Sequence, residues 1–334
     1  MSAKPSTVII TGCAGFVGSH AVDRLLASGY RVIGIDNFCA AYDRKIKESN
    51  LAPHISPEAN PAFQLIEGDA SAAETLESLR DCLEGHPVEM ILHLAAAPQA
   101  ATGTAGAEAH FRVNVIVTER LLRLARDLGQ PHVIFASTAA IYTHSDATEY
   151  AEHASHEIPS DIFALTKFMG EQIGRIYAEL FGSRFSALRF APVYGPRQRP
   201  GTAIYRYLEK VMQEGDLPPL DSEYHIPAST NLIHIHDLID GILQAHTHCG
   251  QPFEIINLAG TEPTHPMTLL TTMSRIFGVA PSESTLQCMK DNPIPQIDLT
   301  KAKQLFNFDP KTDFGEGTRQ LILWFIEHQT QFPK

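Results

Sequence analysis

The sequence predicts an α/β protein: a doubly wound parallel sheet in residues 1–190, followed by a smaller α/β substrate domain in residues 191–334. Three observations carry this expectation. Short, nearly continuous apolar runs alternate with longer stretches of helical period, as parallel strands covered on both faces alternate with crossover helices. A glycine-rich turn, Gly12-Cys13-Ala14-Gly15-Phe16-Val17-Gly18, separates the first apolar run from the first helical stretch. After Pro192 the texture changes, and Pro196, Pro200, Pro218, Pro219, Pro227, Pro252, Pro263 and Pro266 punctuate shorter elements.

In chain order, the expected strands are Thr7–Thr11, Tyr30–Asp36, Ala62–Glu67, Val88–Leu94, His132–Ala136 and Phe185–Phe190, each short and rich in β-branched or aromatic residues. The expected helices are Phe16–Ser28, Ala72–Leu83, Ala107–Leu128 and Asp161–Phe181. In the third, Val113, Val117, Leu121, Leu124 and Leu128 form one apolar stripe of helical period. Segment Ala40–Pro61 mixes charges with prolines and reads as a long surface loop. The last clear helix is Gly315–His328, carrying the single tryptophan, Trp324. Near its C-terminal end the chain is expected to pass between the two domains.

Composition excludes several classes. With 334 residues, 44% of them hydrophobic, the chain can bury a substantial core. Its net charge of −12 argues against a nucleic-acid partner. No apolar run approaches the roughly 20 residues of a membrane span. Met1–Ser6 carries no secretory pattern, and the five cysteines form no Cys-x-x-Cys. The expectation is a reduced, cytoplasmic protein without a membrane partner.

The glycine turn points to a dinucleotide. Gly12 permits a tight turn, Gly15 lets a pyrophosphate approach free N–H groups at a helix start, and Gly18 allows close packing of helix on sheet. Asp36 closes the second strand, where a ribose hydroxyl would be accepted. A carboxylate there repels a 2′-phosphate, which favours NAD over NADP.

Further motifs extend the pattern: Gly68-Asp69 after the third strand, His93-Leu94-Ala95-Ala96, Asn114 in Asn-Val-Ile-Val-Thr, Phe135-Ala136-Ser137-Thr138, Leu188-Arg189-Phe190, and Val193-Tyr194-Gly195-Pro196-Arg197-Gln198-Arg199-Pro200. Asp298-Leu299-Thr300-Lys301-Ala302 also fits. Together they resemble the extended short-chain dehydrogenase/reductase superfamily, in its NAD-dependent nucleotide-sugar epimerase/dehydratase branch. The motifs are most similar to those of UDP-glucuronate 4-epimerases. The resemblance implies a Rossmann-type fold, an NAD cofactor and a UDP-sugar substrate. It places Gly12, Ala14, Gly15, Phe16, Val17, Asp36 and Asn37 on one part of the cofactor. Asp69, Ala70, Leu94, Ala95, Ala96, Asn114 and Lys167 line the rest. It assigns Thr138 and Lys167 to catalysis, and Ser137, Thr138, Arg197 and Arg199 to substrate. It also implies a homodimer pairing helices Ala107–Leu128 and Asp161–Phe181.

The chemistry the resemblance implies uses a Tyr-x-x-x-Lys pair, whose i, i+4 spacing puts both side chains on one helix face. The ammonium lowers the phenol's pKa so that it serves as general base. In this sequence the pair reads Phe163-Ala164-Leu165-Thr166-Lys167, so the lysine is present and the base is not. Three readings stand. Phe163 is an introduced substitution; or it is natural, with Tyr142, His144 or Tyr194 relaying the proton; or the chain holds NAD as a structural or electrostatic element and runs no redox cycle. Other departures favour natural divergence. Thr230 occupies the position of one phosphate-contacting arginine in the resembled pattern, and the neighbourhood of Cys288, with Lys290 close by, that of another. Pro192 also departs from it.

Among 16 histidines, His234-x-His236-Asp237 has strand spacing that permits chelation. No third ligand is placed nearby, so no metal site is expected. His246 and His248 suit the C-terminal end of a helix.

Overall fold

The computed structural model describes residues 5–56, 60–97, 103–142, 149–153, 158–218, 231–261, 264, 266–281 and 296–331. His144, Thr230, Cys288 and Lys290 lie outside them.

Seven strands form one wholly parallel sheet: β1 (Thr7–Thr11), β2 (Arg31–Asp36), β3 (Phe63–Glu67), β4 (Val88–His93), β5 (His132–Thr138), β7 (Phe185–Phe190) and β10 (Phe253–Leu258). Their order is β10-β7-β5-β4-β1-β2-β3. The winding reverses between β1 and β4, and the crevice above their carboxyl ends is where ligands bind in such sheets. Strands β1 and β7 run as the apolar patterning predicts. Strand β5 continues two residues beyond the expected Ala136, so that Ser137 and Thr138 pair with Arg189 and Phe190. Strand β10 comes from the Pro-punctuated part of the chain and rejoins the main sheet at its edge.

Two apolar layers sandwich the sheet. Ile10, Leu92, Ile134, Leu188 and Ile256 face one side, with Leu25, Leu238 and Ile242. Ile9, Ile91, Val133, Phe135 and Phe185 face the other, with Leu79, Leu121 and Leu124. This is the two-residue alternation of strands read from both faces. The first side is covered by α1 (Phe16–Ala27) and α8 (Ile235–His248). The second is covered by α3 (Ala73–Leu83), α5 (Thr118–Asp127) and α6 (Ile162–Phe181). A separate cluster around Tyr207, Leu208, Leu270, Met273, Leu321 and Phe325 joins α7 (Ala203–Glu214), α9 (Pro266–Phe277) and α11 (Phe314–Gln331). Two short parallel pairs stitch the C-terminal part to the sheet: β6 (Glu149–Tyr150) with β11 (Gln296–Ile297), and β8 (Val193–Tyr194) with β9 (Ile233–His234). Helix α10 (Thr300–Phe306) packs on β10.

Two expectations need correction. Segment 40–61 is not all loop, for it contains α2 (Arg44–Ile55). Asp43 caps it by accepting from the Lys45 N–H, Arg44 pairs with Glu48 one turn on, and Pro53 sits in the last turn, where it breaks little. The Ala107–Leu128 helix is not one uniform α-helix either. It opens as α4 (Gly103–Phe111), widens to a π-helical segment at Arg112–Val117 and closes as α5. The wide turn brings Asn114 inward, fully buried, where its amide donates to Thr166 on α6 at 3.0 Å.

Helix α6 begins at Asp161, whose carboxylate accepts from the N–H groups of Phe163 and Ala164. Its close approach to the sheet depends on Gly174, where a Cβ would lie 2.2 Å from the Phe185 ring. That approach sets the depth of Lys167.

Candidate functional site

The turn after β1 is built to be open. Gly12 sits at φ +74°, and a Cβ there would come within 2.8 Å of the Ala95 N–H nitrogen. A Cβ on Gly18 would meet the Gly12 carbonyl at 2.1 Å. Gly15 caps α1 in extended conformation without a side-chain acceptor, so the N–H groups of Phe16 and Val17 at the helix start face outward uncapped. Opposite the turn, the Leu94 N–H donates to the Thr11 carbonyl at 3.1 Å, and Ala95 and Ala96 keep the wall low. Thr11 Oγ1 shares a 2.7 Å hydrogen bond with Nδ1 of buried His93.

Asp36 lies where a ribose hydroxyl acceptor is expected, but it is already engaged. Its Oδ2 accepts from the Ala14 N–H at 3.1 Å, and its Oδ1 accepts from Phe38 N–H at 2.8 Å and Lys47 Nζ at 3.0 Å. Each carboxylate oxygen has two lone pairs, so Oδ2 keeps one for a ligand. Lys47, buried on α2, compensates the charge, so repulsion of a 2′-phosphate is weaker than a lone carboxylate would give. Asn50, one turn further on, donates to the Ala14 carbonyl at 3.0 Å and clamps the glycine turn from behind. Sequence reasoning misses both residues because Pro53 hides the helix carrying them; the Asp43 cap and the Arg44/Glu48 spacing were the available signals. Asn37 is exposed and accepts from the Cys39 N–H. Asp69 accepts from the Ser71 N–H beside buried Ala70.

At the other end of the crevice stand β5 and α6. Thr138 ends β5 with its hydroxyl oxygen accepting from Ala140 N–H at 3.1 Å, which leaves the hydroxyl proton for a ligand. Phe163 is the second residue of α6, half-buried, with its ring edge-on to His110 at 5.8 Å. Lys167, one turn later, is 2% exposed and its Nζ has no hydrogen-bond acceptor among the described residues. It lies 4.7 Å over the Phe135 ring. Burial pushes its pKa down to about 7, against the opposing pull of Glu171. Burial, with Lys167 nearby, holds His93 neutral, its pKa down at about 3.

Glu171 does not pair with Lys167. Its Oε1 accepts from Arg189 Nε at 2.9 Å and from the Ser137 hydroxyl at 2.5 Å, and its Oε2 accepts from Arg189 Nη2 at 2.8 Å. Ser137 thus gives its hydroxyl proton to Glu171, while Thr138, its neighbour in a period-two strand, takes the opposite face. Arg197 is likewise turned away from the crevice, toward Asp23 on α1, at 2.8 Å. Arg199 differs, for it is largely buried beside Tyr42 and has no ion pair or side-chain hydrogen bond among the described residues. Two of the proposed proton relays are excluded by their surroundings. Tyr142 is 1% exposed, donates to Asn257 Oδ1 at 2.7 Å, and burial pushes its pKa up to about 12. Tyr194 is sealed against His234 and Phe314, and burial raises its pKa as well. His234 and His236 stack edge-on at 4.9 Å, and among the described residues no cluster of three metal-ligating side chains forms.

Residues 8–259 match the pattern of the NAD dependent epimerase/dehydratase family. The chain belongs to that family. Similar proteins include "UDP-glucuronate 4-epimerase 2" of Arabidopsis thaliana, 25% identical over 98% of this chain and 77% of the relative. The "Uncharacterized UDP-glucose epimerase YtcB" of Bacillus subtilis is 30% identical, covering 95% of this chain and 97% of the relative. Among solved structures, UDP-glucuronic acid 4-epimerase from Bacillus cereus, in complex with UDP-glucuronic acid and NAD, superposes with a TM-score of 0.82 at 26% identity, covering 96% of this chain and 99% of that one. A tyrosine-to-phenylalanine mutant of that enzyme, with a 4-deoxy-4-fluoro analogue and NAD, gives the same score.

NAD is this epimerase/dehydratase family's cofactor, and the residues present fit it. The uncapped α1 terminus would take the pyrophosphate, Asp36 the adenine ribose, and Lys167 Nζ the hydroxyls of the nicotinamide ribose. No helix among the described residues is long and apolar enough to cross a membrane.

Proposed function

We propose that the chain is an NAD-dependent nucleotide-sugar epimerase acting at the sugar C4 carbon, with UDP-glucuronate as the substrate to test. The observation that carries this reading is the shared crevice: an open glycine turn at one end, Thr138 and the unpartnered Lys167 at the other. When bound, NAD would supply a reversible hydride acceptor. Thr138 donates its free hydroxyl proton to the reacting sugar oxygen. Lys167 orients the cofactor ribose, and the low wall of Ala95 and Ala96 admits the ring. Arg199, desolvated and without a carboxylate partner among the described residues, pairs with a phosphate or carboxylate of the substrate. Phe163 stands in the place of the family's tyrosine and holds no proton. Incubation with NAD and UDP-glucuronate, followed by separation of the two C4 epimers, tests the reading. It fails if no second epimer forms in the native protein or in Phe163→Tyr.

Phe163, together with Thr230 and Cys288 where the resembled pattern has phosphate-contacting arginines, favours a second reading. A redox-silent relative would hold NAD and act as a non-oxidative lyase, isomerase or cyclase on a non-nucleotide substrate, or as a binding scaffold. Micromolar binding of UDP-glucuronate in the crevice, read by calorimetry, counts against it.

The remaining parts of the reading concern organisation. A division near residue 190, with β10 returning to the NAD-binding part, is supported by the separate core around Tyr207 and Phe325. A homodimer is supported by the exposed apolar residues Phe111, Ile116, Ile176 and Leu180 on the helices 103–127 and α6. A reduced, cytoplasmic setting is supported by the free thiols of Cys13, Cys39, Cys82 and Cys249.

A further inference from the structure

We propose that Lys167 is itself the proton-transfer group of this site, taking the sugar hydroxyl proton that no oxygen at position 163 can take. The inference rests on the epimerase reading above and deepens it.

Four observations lead there. The phenyl ring of Phe163 and the amine of Lys167 are one helical turn apart on one face of α6, and the other titratable side chain against that ring, His110, is wholly buried edge-on to it at 5.8 Å. The other hydroxyls considered, those of Tyr142 and Tyr194, are sealed and held in their neutral forms. Thr138 has a proton to donate but no basic site at neutral pH.

The fourth observation is the arrangement of charge. An ordinary buried lysine keeps its proton by pairing with a carboxylate, and the carboxylate four residues on, Glu171, is held by both nitrogens of Arg189 and by Ser137. The groups facing Nζ are therefore a partly spent carboxylate on its own helix, neutral His93 from β4 and the Phe135 ring from β5. Arg189 of β7 adds a cation behind Glu171. A desolvated amine so placed exchanges its proton near neutrality, which is what a general base requires.

The step balances. The hydroxyl proton goes to the lone pair of neutral Nζ, which becomes an ammonium. The C4–H bond breaks, and its electron pair leaves with hydrogen as hydride to oxidised nicotinamide, giving a C4 ketone. The return half delivers hydride to the other face of the ketone and the ammonium's proton to its oxygen.

Two measurements test this. In cofactor-free protein labelled with 13C-lysine, the Lys167 Cε resonance, assigned by its loss in Lys167→Met, is expected to titrate near neutrality; titration near the ordinary value of about 10.4 overturns the inference whatever turnover shows. With NAD and UDP-glucuronate, Lys167→Ala is expected to lose about 10²–10⁴ in turnover and to regain it with small primary amines in order of their basicity. Absence of rescue, or rescue indifferent to amine basicity, overturns it and leaves Lys167 a cofactor-orienting residue. Calorimetry with NAD on the same variant separates lost proton transfer from lost binding. Near-neutral titration without epimer formation in any variant sinks the substrate assignment and upholds the amine's readiness to move a proton.

Discussion

Replacing Arg189 by methionine is the sharpest test of how the site is supported. Arg189 and Glu171 are 2% and 0% exposed in their side chains, and two hydrogen bonds of 2.8 and 2.9 Å join them. Methionine fills most of the aliphatic volume but leaves the carboxylate with the Ser137 hydroxyl as its one strong donor. Removing one partner of a buried pair costs about 3–5 kcal/mol, because the other charge stays desolvated. Against a total stability of about 5–15 kcal/mol, this is a large fraction and lowers the melting temperature by roughly 4–7 °C. The double variant Arg189→Met/Glu171→Leu removes both charges and is expected to recover most of the loss. Urea unfolding, followed by the fluorescence of Trp324 and by circular dichroism, gives each value. The reasoning is refuted if Arg189→Met lies within about 1 kcal/mol of the native protein, or if the two single losses simply add in the double variant. A second readout follows from the same geometry: with Arg189 gone, Glu171 is left to Lys167, and the Lys167 titration moves upward.

The remaining predictions address other parts of the crevice. Gly12→Ala forces a Cβ into the Ala95 backbone at positive φ, so NAD affinity is expected to fall at least about tenfold (about 1.4 kcal/mol) with far-ultraviolet circular dichroism unchanged. Equal affinity by calorimetry would remove the glycine turn from the cofactor site. Arg199→Ala is expected to raise the KM for UDP-glucuronate about ten- to a hundredfold, as loss of a charge-assisted contact does. Arg197→Ala, losing only its half-exposed Asp23 partner, changes KM less than threefold on the order expected for a non-contacting residue, and stability by about 1 kcal/mol or less. Acid stability follows from burial of His93 and His132, whose pKa values fall to about 3, and of His20 and His234, which fall to about 4. All four lie below the ordinary 6.5, so between pH 6.5 and 4 the unfolded chain binds the protons first. Stability is then lost as pH falls through that window, at up to roughly 5 kcal/mol per pH unit for four protons. A urea midpoint unchanged between pH 7.5 and 5 would contradict this.

Backbone placement was legible where a local rule decides it. Strands β1 and β7 have the expected ends because an apolar run bounded by turn residues has few other fates, and the glycine turn follows from steric needs that no distant residue alters. The resemblance gives both Ser137 and Thr138 to the substrate; strand alternation separates their faces, and the contact to Glu171 says where the Ser137 hydroxyl goes. What local rules do not supply is the compensation of charge. Asp36 reads as a free acceptor until Lys47, hidden on a helix that Pro53 disguises as loop, is found against it. Arg197 and Arg199 are equivalent in a proline-rich loop until the fold hands Asp23 to one and gives the other no ion-pair partner among the described residues. The same is true of the residue on which the proposed chemistry turns. Phe163 is visible in the sequence as an absence, but what the absence means depends on whether Lys167 holds its proton firmly. That is set first by burial, and Glu171, which pulls the other way, is shared with Arg189, 18 residues beyond it and on another element. A buried lysine whose counter-charge is shared with a strand arginine is a different chemical group from the same lysine four residues before a free glutamate.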